Sequence, residues 1–144
     1  LYGKPDLTMI LKGALAGLVA ITAEPLTPSL GMAAIIGAIG GVIVVLTVPT
    51  LDRFRIDDVV GAIPVHLFAG IWGTIAVVLT NPDASLFTQL FSIVVVGVFV
   101  SVASAVVWLI VKAAMGLRVD EETEVSGLDR VELGMEAYPE FQKT

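Results

Sequence analysis

Cysteine is absent from the 144 residues, histidine occurs once, and only 15% of the residues are charged. The lack of cysteine excludes disulfide bonds and thiolate metal sites, and a single histidine excludes a His-rich metal cluster within the chain. So little charge argues against a soluble domain, whose surface needs about a quarter of its residues charged. Phosphate loops, nucleotide fingerprints and nucleophile elbows are also missing. We therefore expect no enzyme, no cofactor, no metal and no nucleic-acid partner.

Long apolar runs are what the sequence has instead, and 56% of its residues are hydrophobic. They form four blocks, at about 7–23, 30–48, 59–80 and 86–115. A helix needs about 20 apolar residues to cross a hydrocarbon core of about 30 Å, and the last three blocks reach that length. The first is short but can begin at Pro5 and Asp6. The blocks predict an all-α membrane protein with four transmembrane helices in residues 1–116.

The basic residues predict the orientation of these helices. If the helices alternate across the membrane, all eight Lys and Arg fall on one side: Lys4, Lys12, Arg53, Arg55, Lys112, Arg118, Arg130 and Lys143. The two opposite loops, 24–29 and 80–85, contain no base. By the positive-inside rule we expect both chain ends and the 53–58 loop to be cytoplasmic. We expect the membrane itself to be the inner (cytoplasmic) membrane of the cell.

Prolines and glycines mark helix ends and helix contacts. Pro49 is predicted to end the second helix, and Pro82 follows the third. Gly13 with Gly17, and Gly37 with Gly41, form two GxxxG faces, which allow helix backbones to approach closely. We interpret these glycines as packing residues rather than as part of a permeation path.

His66 is the candidate functional residue because it is a titratable group within an apolar run. With a helix starting at 59, it lies about 12 Å from the cytoplasmic end, where such groups are costly and face protein or water. An imidazole can donate, accept and titrate near neutral pH, which suits a small protonatable solute. The alternative is a neutral histidine that bonds to a hydroxyl on a neighbouring helix. Pro64, two residues earlier, predicts a kink.

Other polar and aromatic residues of the helices favour structural interpretations. Asp57 and Asp58 stand where the third helix should begin, so we expect them to cap it and to pair with Arg53 and Arg55. A general acid–base couple is the less favoured alternative. Trp72 and Trp108 are interpreted as packing residues or interfacial anchors.

The composition changes after Gly116. Residues 117–144 hold eight of the fourteen carboxylates, which predicts a water-exposed tail. Asp129 and Glu132 have the spacing of a capping box, predicting a helix over about 130–138 that Pro139 ends. Two interpretations of this tail are possible: a solvated extension or a docking element.

Three runs of the sequence resemble the ammonium transporter (Amt/Mep/Rh) family. Residues 51–74, LDRFRIDDVVGAIPVHLFAGIWGT, resemble the family signature around the second histidine of its conserved pair. Residues 13–22, GALAGLVAIT, are similar to its glycine-rich eighth helix, and residues 127–139, GLDRVELGMEAYP, to its cytoplasmic C-terminal motif. The sequence departs from the family pattern at two places: Leu67 replaces a frequent glycine, and Leu133-Gly134-Met135 replaces His-Gly-Glu.

The resemblance implies an eleven-helix fold with an inverted repeat, a homotrimer in the lipid bilayer, and a pore in each subunit. This chain would supply helices eight to eleven and the regulatory tail, as a piece of a longer protein. His66 would be the second pore histidine, and residues one helical turn away, Ala62, Ile63 and Gly70, would line the path of ammonium or ammonia.

The tail motif implies a regulatory contact with PII-type signalling proteins. The residues that carry it are Gly127, Leu128, Asp129, Glu132, Gly134 and Tyr138. Transport is the favoured function. An ammonium sensor of the same fold that signals through its tail, and a four-helix module without a pore, are the alternatives.

Overall fold

The computed structural model describes residues 3–26 and 29–136. Its elements are α1 (Leu7–Ile21), α2 (Leu30–Arg53), a π-helical turn (Ile63–Phe68) that continues into α3 (Ala69–Thr80), α4 (Leu86–Met115), α5 (Glu121–Ser126) and α6 (Leu128–Leu133). No strand occurs in these described residues, so the all-α prediction is confirmed. The chain divides into two compact units, residues 1–97 and 98–144.

Three helical segments are long and apolar enough to cross a membrane. They are α2, α4, and the third span, the name used here for the π-helical turn together with α3 (Ile63–Thr80). α1 is apolar but has only 15 residues, fewer than predicted, since it ends at Ile21. The membrane-protein class is thus confirmed, with α1 as a shorter fourth apolar helix.

Side-chain caps fix the starts of α1 and α2. The Asp6 carboxylate accepts hydrogen bonds from the Met9 N–H at 3.1 Å and from the Thr8 hydroxyl at 2.7 Å. These two bonds, the hydroxyl's first, hold the pKa of Asp6 below its ordinary value. The Ser29 hydroxyl accepts from the Met32 N–H at 3.1 Å and so caps α2. Asp6 is thus the cap of α1, and the helix does not extend back through Pro5 and Asp6.

Pro49 does not end α2, contrary to the prediction. The helix runs on to Arg53 with the proline inside it. A proline removes only its own N–H from the ladder, and helix bonding resumes beyond it, as in the bond from the Phe54 N–H to the Thr50 carbonyl. The Thr50 hydroxyl, next to the proline, also donates to the Leu46 carbonyl at 2.6 Å.

The two predicted GxxxG faces pack against each other. A Cβ on Gly17 would lie 3.1 Å from the Gly37 carbonyl oxygen, and a Cβ on Gly41 would lie 3.4 Å from the Gly13 carbonyl oxygen. The pairing of 13 with 41 and 17 with 37 shows that α1 and α2 run antiparallel. The packing prediction is confirmed, and among these four glycines the approach is tightest at Gly17, where an added Cβ would force the neighbouring backbone to shift.

The third span runs parallel to α1. Gly61, just before the span, contacts Lys12, while Gly73, further along it, meets the backbone of Ala20. The Trp72 indole N–H donates to the Ile36 carbonyl of α2 at 3.0 Å, which confirms its packing role. α1, α2 and the third span therefore alternate in direction, as successive membrane spans do.

This alternation brings the charged connectors of the first unit to defined ends. Lys4, before α1, and the loop with Arg53 and Arg55, after α2, lie at one end of the three helices. At the other end, the Asn81 side-chain amide donates to a Glu24 carboxylate oxygen at 3.3 Å and joins the two loops that contain no base. The bases of the first unit thus share one end.

In the described part of the second unit, two short helices follow α4. Asp120 caps α5 by accepting from the Thr123 N–H at 2.8 Å and from its hydroxyl at 3.1 Å; these bonds lower the pKa of Asp120. Ion pairs join Arg118 to Glu124 at 3.0 Å and Arg130 to Glu136 at 2.8 Å.

The predicted helix over 130–138 is wrong in its bounds and in its cap. α6 covers Leu128–Leu133, its N-cap is Gly127, and Asp129 lies in the first turn. Gly134 adopts a left-handed conformation, with φ of 63°, which terminates the helix. The Asp129–Glu132 capping box is therefore not formed, and Tyr138 and Pro139 lie outside the described residues.

Candidate functional site

The start of the third span is held by one carboxylate. Both Asp58 carboxylate oxygens accept backbone N–H groups, one from Ala62 and the other from Ile63, each at 2.8 Å. The first N–H groups of a helix have no partner within it, so these two hydrogen bonds satisfy two of them. Capping by Asp58 is confirmed. Asp57 makes no such bond, and in the described residues neither aspartate forms an ion pair with Arg53 or Arg55.

The third span begins later than predicted. Residues before it form a turn, in which the Gly61 N–H bonds to the Asp58 carbonyl at 3.1 Å and Gly61 takes a φ of 76°. Helical hydrogen bonding therefore starts near Ile63 and not at residue 59. Pro64 falls in the first turn, where a helix tolerates a missing N–H, so the predicted kink inside a helix is wrong.

His66 still lies at the level of the apolar packing, although it is on the first turn of its span. Its neighbour Val65 is buried in one cluster with Met9, Ala16, Val44 and Ala69. Val44 stands nine residues before Arg53, the end of α2. Nine residues correspond to about 13 Å of helical rise. The chain after α2 therefore returns some distance along α2 before the third span begins.

The helix around His66 is a π-helical turn, which the residue pattern does not predict. Its hydrogen bonds are of the i→i+5 type, and the Ala69 N–H that closes it reaches the Pro64 carbonyl. Short π-helical turns occur frequently at functional sites. The missing N–H of Pro64 is the one sequence signal for altered bonding here, and it does not distinguish a π-helical turn from an ordinary first turn.

The π-helical turn has a buried and an open side. Pro64 and Val65 are buried against α1 and α2, whereas His66 and Ala62 are exposed. Within the described part of the chain the imidazole has no hydrogen-bond partner, so no hydroxyl of a neighbouring helix satisfies it. A hydroxyl that holds a neutral histidine, the alternative interpretation, would therefore have to come from a helix outside this chain.

The predicted lining residues differ in their exposure within this chain. Ala62 is exposed like His66, while Ile63 and Gly70 are half-buried. A Cβ on Gly70 would contact Val19 of α1 at 3.9 Å.

Comparison with known proteins identifies the family of this chain. The sequence model of the Ammonium Transporter Family matches residues 1–138. The chain belongs to the ammonium transporter family. It is 40% identical over 144 residues to ammonium transporter Amt1 of Haloferax mediterranei, covering 96% of this chain and 28% of the relative. It is 38% identical over 159 residues to ammonium transporter Amt2 of Archaeoglobus fulgidus, covering 96% of this chain and 34% of that relative.

The chain thus spans about a third of the length of these curated relatives. Members of this family are named as transporters and not as enzymes, which agrees with the absence of nucleotide and nucleophile motifs. Within the matched region lie the capped start of the third span, its π-helical turn and His66.

Removing the Asp58 cap is expected to destabilise the site. Asp58→Ala leaves the Ala62 and Ile63 N–H groups without partners, at a cost of about 1–2 kcal/mol. Thermal unfolding of the full-length protein in detergent measures this loss as a lower melting temperature. Asp57→Ala is the matched control, because its exposed carboxylate caps nothing. Equal melting temperatures for the two variants would show that Asp58 does not hold the span.

Proposed function

We propose that the full-length protein moves ammonium or ammonia across the cytoplasmic membrane, along a path to which this chain contributes His66. The observation that carries this is an exposed imidazole, without a hydrogen bond among the described residues, at the level of the apolar packing in a member of the ammonium transporter family. A titratable group placed among apolar helices is costly unless it faces protein or water. Ammonium uptake by the reconstituted full-length protein is the test.

The proposed path handles the neutral molecule at the level of His66. A bare cation would lose its hydration among apolar walls, at a cost far larger than that for neutral ammonia. In this proposal the proton leaves ammonium at the outer mouth and crosses separately. His66, Ala62, Ile63 and Gly70 line the path, and a second histidine from an upstream helix is the partner of His66.

The proposed orientation places the basic end of the first unit in the cytoplasm. Lys4, Arg53 and Arg55 share that end, and the positive-inside rule assigns such an end to the cytoplasmic side. The chain's C-terminus is cytoplasmic in the same proposal, and the protein is a homotrimer.

Cysteine labelling in intact cells tests this orientation. A membrane-impermeant maleimide is expected to label Asp83→Cys, in the opposite loop, directly, and Phe54→Cys only after permeabilisation. The chain has no native cysteine to interfere, and any cysteine elsewhere in the full-length protein is first replaced. Labelling of position 54 from outside would overturn the assignment.

The tail is proposed to regulate transport by docking on the cytoplasmic loops and a PII-type protein. Its acidic residues can pair with Arg53, Arg55 and Lys4, but surface ion pairs contribute at most about 1 kcal/mol each. Apolar residues such as Leu128 and Leu133, both exposed in the second unit, supply the rest of the contact.

Deleting residues 127–144 is expected to leave the trimer assembled while lowering ammonium uptake or abolishing its response to the PII-type protein. The control is a shorter deletion, of residues 139–144, which keeps α6. Uptake assays with and without the regulator measure both effects. Unchanged uptake together with an unchanged response to the PII-type protein would contradict the regulatory proposal.

A further inference from the structure

A lysine inside the apolar helix α1 has a defined contact next to the candidate site. Lys12 is half-buried, and its stem lies against Gly61. A Cβ on Gly61 would stand 3.1 Å from the lysine's Cδ and Cε and 3.4 Å from its Nζ. Gly61, at a φ of 76°, has no side chain, and the lysine occupies that space. The ammonium group is thereby held beside the start of the third span.

The charge of Lys12 is not cancelled by an ion pair within the described residues. The ion pairs there are Arg118–Glu124 and Arg130–Glu136. Four carboxylates lie near the same end of the helices. Asp52 and Asp57 are exposed and form no ion pair with Lys12 in the described residues, and the other two are engaged as caps. Asp6 feels the charge of Lys12 but accepts from Thr8 and Met9, and Asp58 accepts from Ala62 and Ile63.

The position is also unfavourable for a cation as far as folding is concerned. The N-terminus of a helix carries partial positive charge, so an ammonium group beside the start of the third span is repelled by it. An uncharged side chain with the same stem would cover Gly61 equally well. Neither packing nor capping therefore accounts for the charge itself.

We propose that Lys12 is a specificity-determining residue, whose fixed charge beside Gly61 disfavours the passage of cations past His66. This rests on the proposed transport function. Gly61 lies just before the third span, and His66 follows it by five positions. A fixed charge raises the energy of an ammonium or potassium ion in a poorly solvated path and leaves neutral ammonia nearly unaffected. Lys12 would add charge discrimination to the apolar barrier at this end of the path.

Flux measurements on the reconstituted full-length protein test this role. Ammonia entry is followed with a pH dye inside the liposomes, and potassium entry with a potassium-sensitive dye. Lys12→Met keeps an apolar stem on Gly61 but removes the charge. It is expected to raise the ratio of potassium flux to ammonia flux about tenfold. A tenfold change is the effect of one unit charge on a permeating cation about 10 Å from it, at an effective dielectric constant of about 20. Lys12→Arg is expected to keep the ratio of the parent.

Two further variants make the outcome decisive. Lys4→Met removes a charge at the same end of the helices but outside α1, and it is expected to leave the ratio unchanged. If Lys12→Met does not assemble, Lys12→Gln provides an uncharged side chain with a polar tip. An unchanged ratio in the uncharged Lys12 variants, or an equal rise in Lys4→Met, overturns the inference while transport stands. A parent that moves no ammonium overturns the proposed function and the inference with it.

Discussion

Replacing His66 with alanine in the full-length protein is expected to change ammonium flux, or its selectivity over other cations, by about tenfold or more. The imidazole is the one titratable side chain on the third span, and it is exposed there without a partner in the described residues. In an apolar path, loss of a hydrogen-bonding group costs about 1–3 kcal/mol, which corresponds to one to two orders of magnitude in rate. Uptake into proteoliposomes measures the change.

The matched control for this variant is Leu79→Ala on the same span. Leu79 is exposed within the chain and apolar, so its truncation removes surface without removing a polar group. Both variants are expected to assemble as the parent does, by size-exclusion chromatography in detergent. Parent-like transport and selectivity in an assembled His66→Ala protein would remove this residue from the path.

Gly73→Ala is expected to produce the largest loss of stability among single methyl additions in this chain. A Cβ at Gly73 would overlap the Ala20 carbonyl oxygen, and it would stand 2.9 Å from the Ala20 carbonyl carbon and 3.0 Å from its Cα. These are backbone atoms of α1, which cannot rotate away as a side chain can. Overpacking of this kind typically costs about 1–3 kcal/mol or more. The melting temperature of the full-length protein should fall accordingly.

Gly31→Ala is the control for the glycine experiment. Gly31 lies in the first turn of α2, and a Cβ there would meet no atom within 4 Å in the described residues. Alanine also favours helix by about 1 kcal/mol over glycine, so this variant should melt at or above the temperature of the parent. A Gly73→Ala protein that melts with the parent would contradict the close contact between α1 and the third span.

The helices and their glycine contacts were predictable because their signals are local or periodic. Apolar blocks reveal spans by length alone, and the spacing of Gly13 with Gly17 and of Gly37 with Gly41 marks close-packing faces. The contact of Gly73 with Ala20 was not predicted, because a single glycine does not indicate which helix approaches it. The packing of α1, α2 and the third span together decides which helix faces meet.

The errors occurred where a residue's effect depends on its exact position within a helix. Pro49 resides inside α2 because the ladder resumes after it, while Pro64 lies in a first turn because Asp58 and Gly61 delay the start of the span. In the tail, Gly127 and Gly134 set the bounds of α6, not Asp129 and Pro139. Sequence patterns identify such residues as breakers or caps without deciding which one acts.

The site itself was only partly predictable from sequence. His66 stands out as a lone titratable residue, but its π-helical turn is defined by backbone hydrogen bonds that the residue types do not reveal. The lining residues were assigned from α-helical spacing, whereas the turn around the histidine is π-helical and has a different spacing. The contact of Lys12 with Gly61 joins residues 49 positions apart, beyond any local pattern.

Ammonium uptake by the full-length protein in proteoliposomes tests the central claim most directly. With an inward ammonium gradient and a pH dye inside, the parent protein is expected to give uptake well above that of empty liposomes. The rate should saturate with ammonium concentration and fall by about tenfold or more in His66→Ala. Uptake at the level of empty liposomes, from a protein that is folded and assembled, would contradict transport and favour an ammonium sensor of the same fold.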